Sequence, residues 1–222
     1  MKSRLAILNE LVYRLGMYDR MAVVMTLGLD SYIRSLYARF VKDRNFRILD
    51  IGTGTGRNIP YIYTKALNVI CVDISYTALK ICLNKYRNLN NIDIICCSGE
   101  MLAIKDRCID TILTSYTLRH LNIINFIHEI CRVTHKDSRV IIVDFWKSRT
   151  TFRRIILLVH LSIIVTLISF LICPFIVNAY INVWKEIVKL PNPNYITRLL
   201  KCIGNVKFFT IVDIIYIWIL DL

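Results

Sequence analysis

Seven consecutive residues constrain this chain more than any others: Asp50-Ile51-Gly52-Thr53-Gly54-Thr55-Gly56. They follow an apolar run, 47–51, that reads as a strand, and they open onto a helix. Glycines at alternate positions let the backbone turn tightly and let a ligand approach it closely. In an open α/β sheet such a turn lies at the carboxyl edge of the first strand, where ligands bind. The rest of the chain fits that plan. Residues 68–72, 92–97, 110–114 and 139–145 read as further strands. Helices follow a Ser75 cap, with Leu79, Cys82, Leu83 and Tyr86 on one face, and cover 122–133. A short helix over 194–203, with Gly204 as its C-cap, precedes two β-rich stretches, 207–212 and 214–220, that form a final antiparallel pair. Helical segments near 2–15 and 31–41 come before the sheet. The expected fold is α/β, Rossmann-like and doubly wound: a seven-stranded, mostly parallel sheet with an N-terminal helical cap and an apolar helical insertion. It forms a single domain over 1–222, divided into cap (1–45), cofactor-binding core (46–148), apolar insertion (149–190) and final helix and strands (191–222).

The loop spacing is G-x-G-x-G, not the G-x-G-x-x-G of dinucleotide sites. Asp50, two residues ahead of the first glycine, suits a ligand with a cationic amino group, held directly or through water. Asp73 ends the second strand 17 residues after Gly56. A carboxylate there accepts hydrogen bonds from ribose hydroxyls. Loop, preceding acid and second-strand acid in register describe a site for S-adenosyl-L-methionine, with Asp50, Gly52, Gly54, Thr55, Gly56, Asp73 and its neighbour Ile74 around it. A plain tight turn with two solvated acids and a nicotinamide site remain as alternatives.

Three stretches carry a family resemblance. The first is Tyr18-Asp19-Arg20-Met21 with Met25-Thr26-Leu27-Gly28 downstream. The second is the glycine loop. The third runs from Cys97-Ser98-Gly99-Glu100 through Asp110-Thr111-Ile112 to Leu118-Arg119-His120. In these the chain resembles the class I S-adenosylmethionine-dependent methyltransferases, and within them the C-methyltransferases of ubiquinone and menaquinone biosynthesis. The resemblance covers residues 10–145 and, more loosely, 190–222. It implies cofactor contacts at Thr55, Asp73, Ser98, Gly99 and Ser115. Gly52 and Gly54 line the methionine part, and Ser98 and Gly99 lie beside the adenine. The chain departs from the family pattern at Ala22 and His120, each in place of an asparagine, at Arg57 in place of an acid, and at 135–138 in place of a glycine-rich turn.

Methyl transfer from a sulfonium is an in-line displacement that needs alignment and no metal. On a hydroquinone ring, loss of a phenolic proton raises electron density at the ring carbon, and a nearby cation stabilises the phenolate. Arg119 fits that role because guanidinium stays protonated. His120 is a candidate proton acceptor, and Tyr18 a candidate for holding the ring or closing the site. The plainer readings are an Arg119 salt bridge to an acid on the cap, a solvated turn histidine and a packing tyrosine.

Residues 155–173 carry no formal charge, and Pro174 ends the run. By length this passes as a transmembrane helix. However, residues 207–220 are needed to finish the sheet, and one domain is not built from both sides of a bilayer. The favoured reading is that the segment dips and returns as a hairpin bent at Pro174 or lies on the interface; a true span and a packed lid or oligomer contact are the alternatives. Arg149, Arg153 and Arg154 precede it, and 29 Lys+Arg against 16 Asp+Glu give a net charge of +13. Such a balance favours anionic lipid headgroups or nucleic acid. No dense basic arm is present, and Thr114-Ser115-Tyr116-Thr117 lacks the proline of an RNA methyltransferase loop, so no nucleic-acid partner is expected. The expected partners are a lipid-soluble small-molecule substrate and a membrane surface met through 155–183, with an oligomer possible. Competing functions are methylation of a phospholipid or another small molecule, methylation of RNA, and binding without catalysis. Residues 55% hydrophobic and 20% charged exclude disorder. Charges from Arg4 to Arg20 interrupt any signal-peptide core. The eight cysteines have neither C-x-x-C nor zinc spacing, so most are expected as reduced, buried thiols in a cytoplasmic, membrane-associated protein.

Overall fold

The computed structural model describes residues 10–42, 46–180, 183, 187 and 189–222. Its sheet has seven strands: β1 (Phe46–Ile51), β2 (Ala66–Asp73), β3 (Ile92–Cys96), β4 (Ile109–Ser115), β5 (Thr134–Phe145), β6 (Asn205–Ile211) and β7 (Ile215–Asp221). Their spatial order is 3-2-1-4-5-7-6. The first five are parallel, while β7 runs antiparallel between β5 and β6. The strand order reverses at β1, between β2 and β4, and this switch point opens a crevice at the carboxyl edge.

Both faces of the central strands are covered, which is why they read as unbroken apolar runs. Ile48, Leu113 and Ile141 face the N-terminal helices α1 (Tyr18–Met25) and α2 (Asp30–Ala38). Leu49, Ile112 and Ile142 face the opposite layer. On the flanks, α3 (Tyr76–Tyr86) starts at Ser75, whose hydroxyl accepts from the Ala78 N–H at 3.2 Å. It buries Ala78, Leu79 and Cys82, whereas Leu83, expected on the same face, points outward. Asn122 caps α4 (Ile123–Val133), which buries Phe126, Ile130 and Val133 at helical spacing. The expected helix over 2–15 is described only from residue 10, and residues 10–14 are helical; its residues 2–9 lie outside the described residues. Helix α1 itself was not expected, since its apolar positions are mixed with charges.

The apolar insertion leaves the sheet after Phe145, and the chain re-enters it at Asn205 with β6; Phe145 pairs with Ile215 across β5 and β7. The insertion begins with α5 (Thr151–Ile172), 22 residues whose most apolar 18-residue window has a mean hydropathy of 2.9. A π-turn interrupts it at His160–Ile164. One face, Leu157, Leu161 and Val165, packs into the core shared with the cap. Cys173 is extended, Pro174 starts a tight turn, and Val177–Tyr180 is helical again. The chain then reaches α6 (Pro193–Lys201). Gly204, expected as a left-handed cap, does not have positive φ; a Cβ there would stand 2.4 Å from the Asp221 carbonyl, so close approach to β7 accounts for the glycine. Left-handed residues Val212 and Asp213 make the β6–β7 turn instead. Asp213 accepts from the Ser148 hydroxyl and the Arg149 N–H, both at 2.8 Å, and from the Tyr216 hydroxyl at 2.6 Å. The start of the insertion is thus tied to the last hairpin. The cysteines correct the sequence expectation: all eight are free thiols, but only Cys71 and Cys82 are buried, and Cys96, Cys131 and Cys202 are exposed.

Candidate active site

The crevice holds a cavity of about 680 Å³, walled by the ends of β1, β2 and β4, the cap and the far end of the insertion. The glycine loop forms one margin. Gly52 and Gly54 have φ of 73° and 55°, in the left-handed region where a side chain is strained. A Cβ at Gly52 would also stand 2.1 Å from the Thr117 hydroxyl oxygen, so this glycine lets the loops after β1 and β4 touch.

Asp73 lies on the wall. One oxygen accepts from the Gly54 N–H and the other from the Ser75 N–H, both at 2.8 Å. Burial pushes its pKa up, and these backbone donors oppose that rise. A carboxylate has about four acceptor sites, so each oxygen keeps capacity for a ribose hydroxyl. Beside it, Glu10 takes the hydroxyls of Ser75, at 2.8 Å, and Thr77. Ile74, Ser98 and Gly99 also line the cavity. The residues present therefore fit the cofactor: two carboxylate oxygens with spare acceptor capacity, a tight glycine turn and an apolar flank.

Asp50 is placed differently from the expectation that it meets the ligand's amino group. It is fully buried, off the cavity wall, and accepts from the Thr53 hydroxyl and the Asn58 amide, each at 2.7 Å. It braces the loop from beneath. Thr55, Gly54, Gly56 and Ser115 also lie off the wall. Burial pushes the Asp50 carboxyl up to about 6. Between its unfolded value near 3.9 and that figure, only the unfolded chain ionises here, so the folded state loses stability as pH rises. Relative to Asp50→Asn, the wild type should lose up to roughly 3 kcal/mol from pH ~4 to ~7. Denaturant unfolding of both chains across that range checks this; a constant difference would give Asp50 an ordinary pKa.

A buried polar network, which sequence reasoning missed, locks the cap to this loop. Arg34 donates to Asp30 at 2.8 Å, to the Tyr37 hydroxyl at 3.2 Å, to the Ser115 hydroxyl at 3.1 Å and to Asn58. Arg57, at the position where the resembled family has an acid, donates to Asp30 at 2.9 Å. Asp30 is buried, yet Arg34 and Arg57 hold its carboxyl below the usual range. Thr55 donates to Asp19 at 2.6 Å. The signal available in the sequence was the i, i+4 pair Asp30 and Arg34 on an otherwise apolar helix face.

Across the cavity the wall is aromatic. Tyr13 and Tyr18 lie with ring centroids 4.5 Å apart, and Tyr116 stacks on Phe145 at 5.0 Å. Tyr180 joins them from the insertion. Burial pushes the phenols of Tyr18, Tyr116 and Tyr180 up, so all three remain protonated donors. Arg119 reaches the same wall. Its partner is not an acid of the cap but Asp144, fully buried on β5, which accepts from the Arg119 guanidinium and, at 3.1 Å, from its backbone N–H. Burial pushes Asp144 up, and Arg119 opposes this. Two buried donors on the wall, Arg119 Nε and Tyr116 Oη, have no partner among the described residues. His120 stands at the rim with its outer edge exposed. Desolvation of the ring, then the neighbouring Arg119, lower its pKa to about 3. Among the described residues no cluster could hold a metal ion.

Comparison with known proteins agrees with this geometry. The family described as methyltransferase domain matches residues 49–142. Demethylmenaquinone methyltransferase of Tropheryma whipplei (strain Twist) is 28% identical over 134 residues, 60% of this chain and 56% of that protein. Ubiquinone/menaquinone biosynthesis C-methyltransferase UbiE of Rickettsia rickettsii (strain Iowa) is 28% identical over 142 residues, 60% of this chain and 57% of that protein. The chain thus spans little more than half the length of these relatives. In fold it is similar to a putative S-adenosyl-L-methionine-dependent methyltransferase from Methanococcus maripaludis (TM-score 0.62, 18% identity, 91% of this chain and 89% of the other). It is likewise similar to one from Aquifex aeolicus (TM-score 0.59, 15% identity, 90% and 97%). The domain match lies over the glycine loop, Asp73 and the parallel strands, so residues 49–142 carry a methyltransferase domain, in a fold shared with S-adenosyl-L-methionine-dependent methyltransferases.

Proposed function

We propose that the chain methylates a ring carbon of a lipid-soluble, demethylated quinone precursor. The observation that carries this reading is the pair of unpartnered donors, Arg119 Nε and Tyr116 Oη, on the wall of an aromatic chamber that continues to Asp73. An apolar ligand with a ring oxygen supplies what that chamber lacks: flat surface for the tyrosines and an acceptor for the two donors. The names of the Tropheryma and Rickettsia relatives support the same substrate class.

Asp73 would hold the cofactor's ribose, with Ser98 and Gly99 beside its base; when bound, the cofactor supplies a methyl group on a positively charged sulfur. The chain's own part is alignment and charge. Arg119, fixed by Asp144, places a permanent cation where a phenolate oxygen develops. Tyr116 donates beside it. Tyr18 and Tyr180 hold the ring plane, and the apolar flank from Ala179 and Val183 excludes water. The proton that the methyl group displaces passes to water at the rim, where His120 stands, and the electrostatic load falls on Arg119.

Incubating the chain with methyl-labelled cofactor and a total lipid extract tests the reading. Label is expected in a quinone-type lipid. Label in a phospholipid headgroup would replace that substrate class, and label in no lipid would overturn the lipid reading.

A further inference from the structure

Helix α5 has an apolar outer face that no part of the described chain covers. Phe152, Ile156, Val159, Ile163, Phe170 and Leu171 are all exposed on it, Phe170 by 58% and Leu171 by 80%. Only 28% of the helix's most apolar window is buried, whereas a soluble core helix is buried all round. Contiguous apolar surface of this extent marks an interaction site. Two polar side chains of the segment, His160 and Ser169, are buried away from this face. His160, buried inside the π-turn, lies with Nε2 3.3 Å from the Met25 carbonyl, and Ser169 donates to the Thr166 carbonyl at 2.7 Å.

Three observations point to one occupant. From Ile155 to Ile176 no side chain is formally charged, while Arg149, Arg153 and Arg154 gather at the helix start, and Arg149 and Arg153 are exposed there. That pattern matches hydrocarbon beside anionic headgroups. The insertion leaves the sheet after β5, and the chain re-enters the same sheet with β6 and β7, β7 pairing with β5, so the segment returns to the side it left. Finally, the turn at Pro174 leads within ten residues to Ala179, Tyr180 and Val183, which line the cavity.

We propose that the outer face of α5 docks the chain monotopically on a bilayer rich in anionic lipid, with the cavity's Tyr180 flank brought to the lipid surface. Docking would let an apolar substrate pass between bilayer and chamber without crossing water. It stands whether or not the methyl acceptor is a quinone, because membrane binding needs no substrate.

Flotation of the full chain with phosphatidylglycerol–phosphatidylcholine vesicles tests this, against vesicles of phosphatidylcholine alone. The wild type should float with the anionic vesicles and bind neutral ones more weakly, and added salt should narrow the gap. Phe170→Glu/Leu171→Glu should lower partitioning at least tenfold. Its unfolding temperature should stay near that of the wild type, because both side chains are exposed. Arg153→Gln should weaken anionic binding about fivefold and leave neutral binding unchanged. Wild-type chain that stays unbound with both vesicle types overturns the proposal, as does a double-glutamate variant that floats equally well. A wild-type dimer that the same variant turns into monomer, with no flotation, would assign the face to a second copy.

Discussion

Titration calorimetry of Asp73→Ala with S-adenosylmethionine should show affinity at least 100-fold below wild type. Hydrogen bonds from hydroxyls to a charged acceptor contribute about 1.5–3 kcal/mol each, and two are lost. The variant also releases the Gly54 and Ser75 N–H groups that Asp73 holds at 2.8 Å, so the loop loses its clamp as well. Asp73→Asn separates the two effects. It retains one carbonyl acceptor and the side chain's shape, and should cost about tenfold, in line with one charge-assisted bond. Unchanged affinity in the alanine variant would remove the ribose assignment.

Arg119 needs a paired design. Removing it alone strands Asp144, which is fully buried, and breaking a buried pair costs about 3–5 kcal/mol. Lost turnover would then be confused with lost folding. Arg119→Met/Asp144→Asn removes both charges together, and the amide keeps a carbonyl for the Phe145 N–H now bonded at 2.8 Å. The double variant should unfold near the wild-type temperature and bind the cofactor with near-normal affinity. Its turnover should fall by about 10²–10³, the scale of losing a preorganised charge at a developing oxyanion. Turnover equal to the wild type would show that the charge acts elsewhere.

The sheet was readable because parallel strands buried on both faces leave uninterrupted apolar runs, and because the glycine loop punctuates the first of them. Asp73 was readable for the same reason: its position follows from strand length. The cap was not. Tyr13 and Glu10 reach the cavity from a segment that shares no local pattern with the core, and the Arg34 network joins residues up to 81 apart in sequence. Asp50 shows the limit of motif reasoning most clearly. Its spacing from the glycines was read correctly, but spacing does not say which side of the strand end a carboxylate faces. For Asp50 that side is the interior, against Asn58 and Thr53.

The pairing of Phe145 with Ile215 also bears on the birth of the protein. Synthesis delivers α5 before β6 and β7 exist, and by apolarity alone it matches what insertion machinery recognises as a stop in the lipid. Until the last hairpin emerges, neither its strands nor the Asp213 clamp on Ser148 and Arg149 can hold the segment back. On the docking proposed above, the hairpin of β6 and β7 would act as a topological latch: a chain halted before it would be free to thread across a bilayer, and folding of the hairpin would commit the molecule to one side.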